Sequence, residues 1–178
     1  SWYDSTKTSF EISNAKQLAG LGAIVNGYTS INDTFSGKTI TITSDINVDK
    51  VLSEWLPIGT SQKKFAGIFD GQNHTITLNI NQPNTEYVGL FSILTSSTQV
   101  KNVIVDGTIT GKDHVAGIAG YGDWFKTLEN CVNKATITGE KYVGGILGDQ
   151  GTYKVYTNNC VNKGKFKVKN QLEVYVDI

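Results

Sequence analysis

The sequence predicts an all-β fold: a parallel β-solenoid of about five coils, with one short α-helix capping its N-terminal end. Three observations predict it. A single amphipathic stretch near the N-terminus is followed by short alternating strands. The chain then repeats itself at intervals of 27 to 29 residues. Each repeat holds strands of four to six residues and has no room for a helix, so it buries an apolar face only against its neighbours.

The helix comes first. Ser13 and Asn14 supply an N-cap, and Asn14 with Gln17 has capping-box spacing. Ala15, Leu18, Leu21, Ile24 and Val25 recur at helical intervals. Gly20 and Gly22 weaken the helix, so packing must hold it, and Asn26-Gly27 is a good stop. From there the period changes to two. Lys38–Val48, His74–Ile80 and Val100–Gly111 alternate β-branched and polar residues between Gly, Asn and Asp turns.

The repeat is read from matched segments. Val88, Val115 and Val143 open glycine-rich stretches 27 and 28 residues apart, the last two reading VAGIAG and VGGILG. Asn102, Asn130 and Asn159 open asparagine stretches 28 and 29 apart, and NCVNKATI from Asn130 returns as NCVNKGKF from Asn159. In a solenoid, equal positions stack at the strand spacing of ~4.8 Å. Val88, Val115 and Val143 then form one inward ladder, and Ile109, Ile137 and Phe166 another. The asparagines form a hydrogen-bonded ladder with a structural role. Lys163, Lys165, Lys167 and Lys169 alternate on the last coil, where outward lysines oppose end-to-end pairing, and Leu172–Ile178 reads as one more strand.

Composition narrows the functional classes. Formal net charge is zero and all 16 basic residues are lysine, so there is no electrostatic footprint for nucleic acid. No segment approaches the ~20 apolar residues of a membrane span, so no membrane insertion is expected. Methionine is absent, position 1 included, and the chain is expected to be a piece of a longer protein. Cys131 and Cys160 are too few for a disulfide scaffold or a zinc site; they are read as buried free thiols one coil apart.

The order of motifs resembles GLUG-type repeat domains. The residues that carry the resemblance are FEISNAKQLAGLGAIVN, FSGKTITITSDINV, WLPIGT, FAGIFDGQNHTI, VGLF, VAGIAG and NCVNKATITGEKYVGGILG. It spans about Phe10 to Val168; Ser92 and Lys16 depart from the usual pattern. The resemblance implies a right-handed parallel β-helix module of large bacterial surface proteins, chiefly Gram-positive. It implies a secreted or wall-attached location and an adhesive or spacer role, with no active site.

The motifs that carry chemistry are few. The glycine segments lack the Lys-Ser/Thr pair of a phosphate loop and lead into no helix, so they are read as coil corners rather than a nucleotide site. The Thr-x-Thr pairs at Thr39, Thr75, Thr108 and Thr136 resemble an ice-binding array, which Lys165 and Lys167 interrupt; β-propensity accounts for them. Asp106, Asp113 and Asp123 lie near one another in sequence, but no carboxylate row recurs across coils as glycosidases or lyases require. His74 reads as part of a turn, and His114 as a corner residue before Val115. No catalytic residue, cofactor or metal site is assigned. The binding candidates are the aromatic loops of adjacent coils: Tyr121, Asp123, Trp124, Phe125, Asp149, Tyr153, Lys154 and Tyr156.

These readings give one domain, 1–178. Residues 1–34 form a cap with a helix near 13–25, 35–168 the coils, and 169–178 a terminal strand. The expected function is non-catalytic: a cell-surface adhesion module offering a solenoid surface to host or environmental glycans or proteins, monomeric as an isolated piece. The alternatives are a spacer within a larger surface-anchored enzyme and, third, a carbohydrate-active β-helix enzyme, which needs an acidic groove.

Overall fold

The computed structural model describes residues 2–48, 54–122, 127–152 and 156–169. Over these the chain is a parallel β-solenoid of about five turns with a single short helix. The strand pairings among the described residues are parallel, and each joins a strand to its equivalent in the next coil.

Three main faces make up the wall. The first stacks Ser9–Ile12, Thr39–Ile42, Ile68–Asp70, Gln99–Lys101, Thr127–Glu129 and Thr157–Asn158. Alternation turns every second residue inward, and one ladder runs through Phe10, Ile40, Phe69, Val100 and Leu128, all buried. The second face runs through Ile46–Asn47, Thr75–Asn81 and Ile104–Thr110; it then splits into Val132–Asn133 with Thr136–Gly139, and Val161–Asn162 with Phe166–Val168. The third stacks Phe91–Leu94, Ala119–Gly122 and Leu147–Gln150, beside the short pair Asp113–Val115 and Lys141–Val143.

The expected ladders form. Val88, Val115 and Val143 pair in register, as do Ile109, Ile137 and Phe166. Asn130 Nδ2 donates to Asn102 Oδ1 at 3.1 Å, and Asn159 Nδ2 to Asn130 Oδ1 at 2.8 Å. All three asparagines are left-handed, with φ of 54°, 52° and 52°, so the ladder also marks a corner that asparagine tolerates better than most residues. Asp70 continues it by accepting from Asn102 Nδ2 at 2.9 Å. A second stack lies inside the core: Asn133 Nδ2 donates to Asn162 Oδ1 at 2.8 Å and to Ala135 O at 3.1 Å. Gly117 and Gly145 leave the room those side chains occupy, since a Cβ at either would overlap the Asn133 or Asn162 amide. The glycines of VAGIAG and VGGILG therefore serve close packing between coils.

The helix runs Ala15–Asn26 and buries Ala15, Leu18, Leu21, Ile24 and Val25. Asn14 Oδ1 accepts from Gln17 N at 3.0 Å, while Gln17 Oε1 reaches back to Ser13 N at 2.8 Å, one residue earlier than a capping box requires. Gly27 ends the helix at φ 80°, where its own N–H and that of Tyr28 take up the carbonyls of Ile24 and Ala23. Asn26 ties this end to the wall, donating to Pro57 O at 3.1 Å and accepting from Gly59 N at 2.7 Å. Trp2 stacks on Phe35, Tyr3 stacks on Phe10, and aromatic contacts continue through Phe65 to Phe69 and Phe91.

Three details go beyond the sequence pattern. The Thr-x-Thr pairs do not form one array: Thr39 and Thr41 belong to the first face, and Thr75 and Thr77 lie opposite Ile104 and Asp106. Only Thr108 and Thr110 stack on Thr136 and Thr138, and Lys167 follows Thr138. Cys131 is a buried free thiol, but Cys160 is only half-buried. Ser9–Ile12, before the helix, is a further rung that local pattern did not reveal. The strand expected over 172–178 lies outside the described residues.

Candidate functional site

The notable surface chemistry is a column of rings at one corner. Each glycine-rich segment is preceded by Tyr87, His114 or Tyr142. All three residues have left-handed backbone, with φ of 60°, 57° and 54°. Their rings stack face to face, Tyr87 on His114 and His114 on Tyr142, each at 4.6 Å between centroids and within 22° of parallel. The coil rise of ~4.8 Å nearly equals a stacking distance, so repeating a ring at one position builds the column without special adjustment. The repetition also holds three non-glycine residues in a sparsely populated conformation, which functional sites often retain.

Neighbouring side chains complete the surface. Tyr121 meets Tyr87 and His114 edge-on, at 6.0 and 5.9 Å. Asp149 sits opposite Tyr121 in the next coil, and its Oδ2 lies 3.5 Å from His114 Nε2. His114 Nδ1 and Asp113 Oδ1 are buried without a hydrogen-bond partner. Such atoms are costly inside a protein unless something else satisfies them. Tyr142 is 54 % exposed and presents an aromatic surface at the end of the column. The arrangement offers the exposed ring of Tyr142 at the end of a column whose imidazole lies beside a carboxylate, which suits binding of a planar or ring-shaped group.

The structure brings together two of the residues expected from sequence, Tyr121 and Asp149. Tyr156 is 64 % exposed where the second loop rejoins the first face, its carbonyl accepting from Leu128 N. Asp123, Trp124, Phe125, Tyr153 and Lys154 lie outside the described residues. Sequence reasoning missed Tyr87, His114 and Tyr142 as a set. The signal was there: in YVG, HVAG and YVGG the residue before the valine is aromatic at the repeat spacing. Asp106 and Asp113 fall on separate strands; Asp106 accepts from Gly107 N. Among the described residues there is no group of three His, Cys, Asp or Glu suited to a metal ion, and no helix long and apolar enough to cross a membrane.

Fold and site together define a parallel β-solenoid bearing an aromatic column on one corner. The chain resembles a solved structure from Bacteroides ovatus described as a "putative immunoglobulin A1 protease", with 14 % identity, a TM-score of 0.51, and coverage of 98 % of this chain and 81 % of that one. At that identity the likeness speaks for the fold alone. No family model matches the chain, and no curated protein matches it significantly.

Proposed function

We propose that the chain is a non-catalytic binding module of a secreted or cell-surface bacterial protein, of the GLUG type, presenting its solenoid wall to a glycan or protein ligand. The observation that carries this reading is the Tyr87–His114–Tyr142 column with Tyr121 and Asp149 beside it. Stacked rings held by the fold are pre-ordered, so a ligand that lies on them costs little side-chain entropy. Tyr and Trp anchors dominate binding energy at interfaces, and the aromatic loop residue Trp124 belongs to the same proposal.

The test is a glycan and matrix-protein array probed with this chain. Tyr142→Ala removes an exposed ring and should weaken the best array hit about tenfold or more. Its thermal midpoint should stay within a few degrees of the parent's. Retained affinity in Tyr142→Ala and Trp124→Ala together would remove the column and Trp124 as the binding surface. A second reading, a spacer within a larger surface-anchored enzyme, draws support from the name of the Bacteroides ovatus protein. Absence of any array hit would favour it.

A further inference from the structure

We propose that Cys131 and Cys160 form a covalent modification site: a low-molecular-weight disulfide oxidises them to an intramolecular bond that staples two successive coils. The pairs Glu129–Asn158 and Val132–Val161 flank the cysteines in register, which places the two opposite each other on adjacent rungs. The rung spacing of ~4.8 Å lies inside the Cα–Cα range of disulfides, roughly 4.4–6.8 Å.

The side chains take equivalent positions on successive rungs. Cys131 Sγ donates to Glu129 O at 3.4 Å and Val100 O at 3.7 Å. Cys160 Sγ repeats the pattern one coil on, to Asn158 O at 3.6 Å and Leu128 O at 3.4 Å. Leu128 belongs to the coil that carries Cys131 and Val100 to the coil before it, so both sulfurs lean the same way along the stack and Cys131 must turn toward Cys160 to close the bond. Bond formation requires a rotation that gives up only weak S–H···O contacts.

Exposure sets the order of events. Cys131 is buried and Cys160 half-buried, so an oxidant reaches Cys160 first. The neighbouring Cys131 thiol holds the Cys160 thiol below its usual range, favouring the thiolate that attacks; the same pairing and burial push Cys131 up. The Cys160 thiolate attacks one sulfur of RS–SR, forming Cys160–S–S–R and expelling RS⁻. Cys131, losing its proton to the expelled thiolate, then attacks the Cys160 sulfur, closing the Cys131–Cys160 bond and expelling the second RS⁻, which takes up a proton. Both protein thiols are oxidised and one small disulfide is reduced to two thiols.

The experiment treats the native chain with oxidised glutathione at mildly alkaline pH and reads intact mass, free thiols and oligomeric state. These are the chain's 2 cysteines, so a monomer that loses two hydrogens contains this bond. Cys131→Ser should stop at a glutathione adduct on Cys160, and Cys160→Ser should leave Cys131 unmodified while folded. In the oxidised parent, amides of Thr157–Asn158 and Val161–Asn162 should exchange about tenfold more slowly or better. A parent that ends at the Cys160 adduct, forms linked dimers, or reacts only once unfolded overturns the proposal. A bond that leaves exchange in the last coil unchanged overturns the stapling.

Discussion

Asp70 shows how much one side chain is asked to do in a repeating wall. It is 7 % exposed and begins the asparagine ladder. Burial pushes its carboxyl up, but hydrogen bonds from Asn102 and the Gln72 N–H, together with Lys101 at 3.3 Å, outweigh that and hold it below the usual carboxylate range. A depressed folded-state value contributes stability that is fully present above the unfolded value of about 3.9 and is lost as pH falls through the folded value. Protonation also leaves Asn102 without an anionic acceptor, so the ladder above it loosens at the same pH. The Asp70 carboxyl carbon, followed by NMR, should titrate below about 3.9 in the folded chain. Asn102→Ala removes one donor and should move that midpoint upward. A midpoint at or above the ordinary value in the parent would contradict the hydrogen-bond account.

At the scale of the element, the helix is the piece with the least local support and the clearest boundaries. Gly20 and Gly22 lower its propensity, and its first turn carries no acidic residue. Asn14 and Gly27 therefore matter more than they would on a strong helix. Asn14→Ala should cost about 1 kcal/mol, read as a lower denaturant midpoint with unchanged slope. A change well under half of that would mean that packing against the first coils alone sets the helix start. These caps were legible because capping is written in two or three adjacent residues. The strands of the coils were legible for a different reason, their repetition: period two identifies a strand, and the 28-residue interval identifies its partner. Ser9–Ile12 carries the same alternation but no recognisable repeat around it, so nothing local distinguished it from a leader into the helix. The Thr-x-Thr pairs look alike in sequence yet fall on different faces, because coil lengths vary and register is set by the corners. The aromatic column was hidden by chemistry rather than by position, since a histidine stands between two tyrosines and only ring stacking makes the three equivalent.

For the whole molecule, the two ends of the described solenoid are unlike. The first coil is closed by the helix and by Trp2 and Tyr3, which pack on the core. Toward the other end burial fades: Val143, Ile146, Leu147 and Phe166 are partly buried, and Val161 is 40 % exposed. In a stack where each coil touches mainly its neighbours, stability is a sum of coil and interface terms, so a poorly covered end opens first. The same ladder position gives a direct comparison, because Ile109, Ile137 and Phe166 occupy successive rungs. Ile109→Ala opens a cavity between two covered coils and should cost about 2–5 kcal/mol, raising hydrogen exchange on both sides of it. Phe166→Ala removes more atoms but at a rung that is only partly buried. It should raise exchange chiefly over 156–169 and leave the most protected amides of Ile68–Asp70 and Thr75–Asn81 unchanged. If Phe166→Ala instead raised exchange evenly from the helix to the last coil, the solenoid would unfold as one cooperative unit. The graded burial along its axis would then have no energetic counterpart.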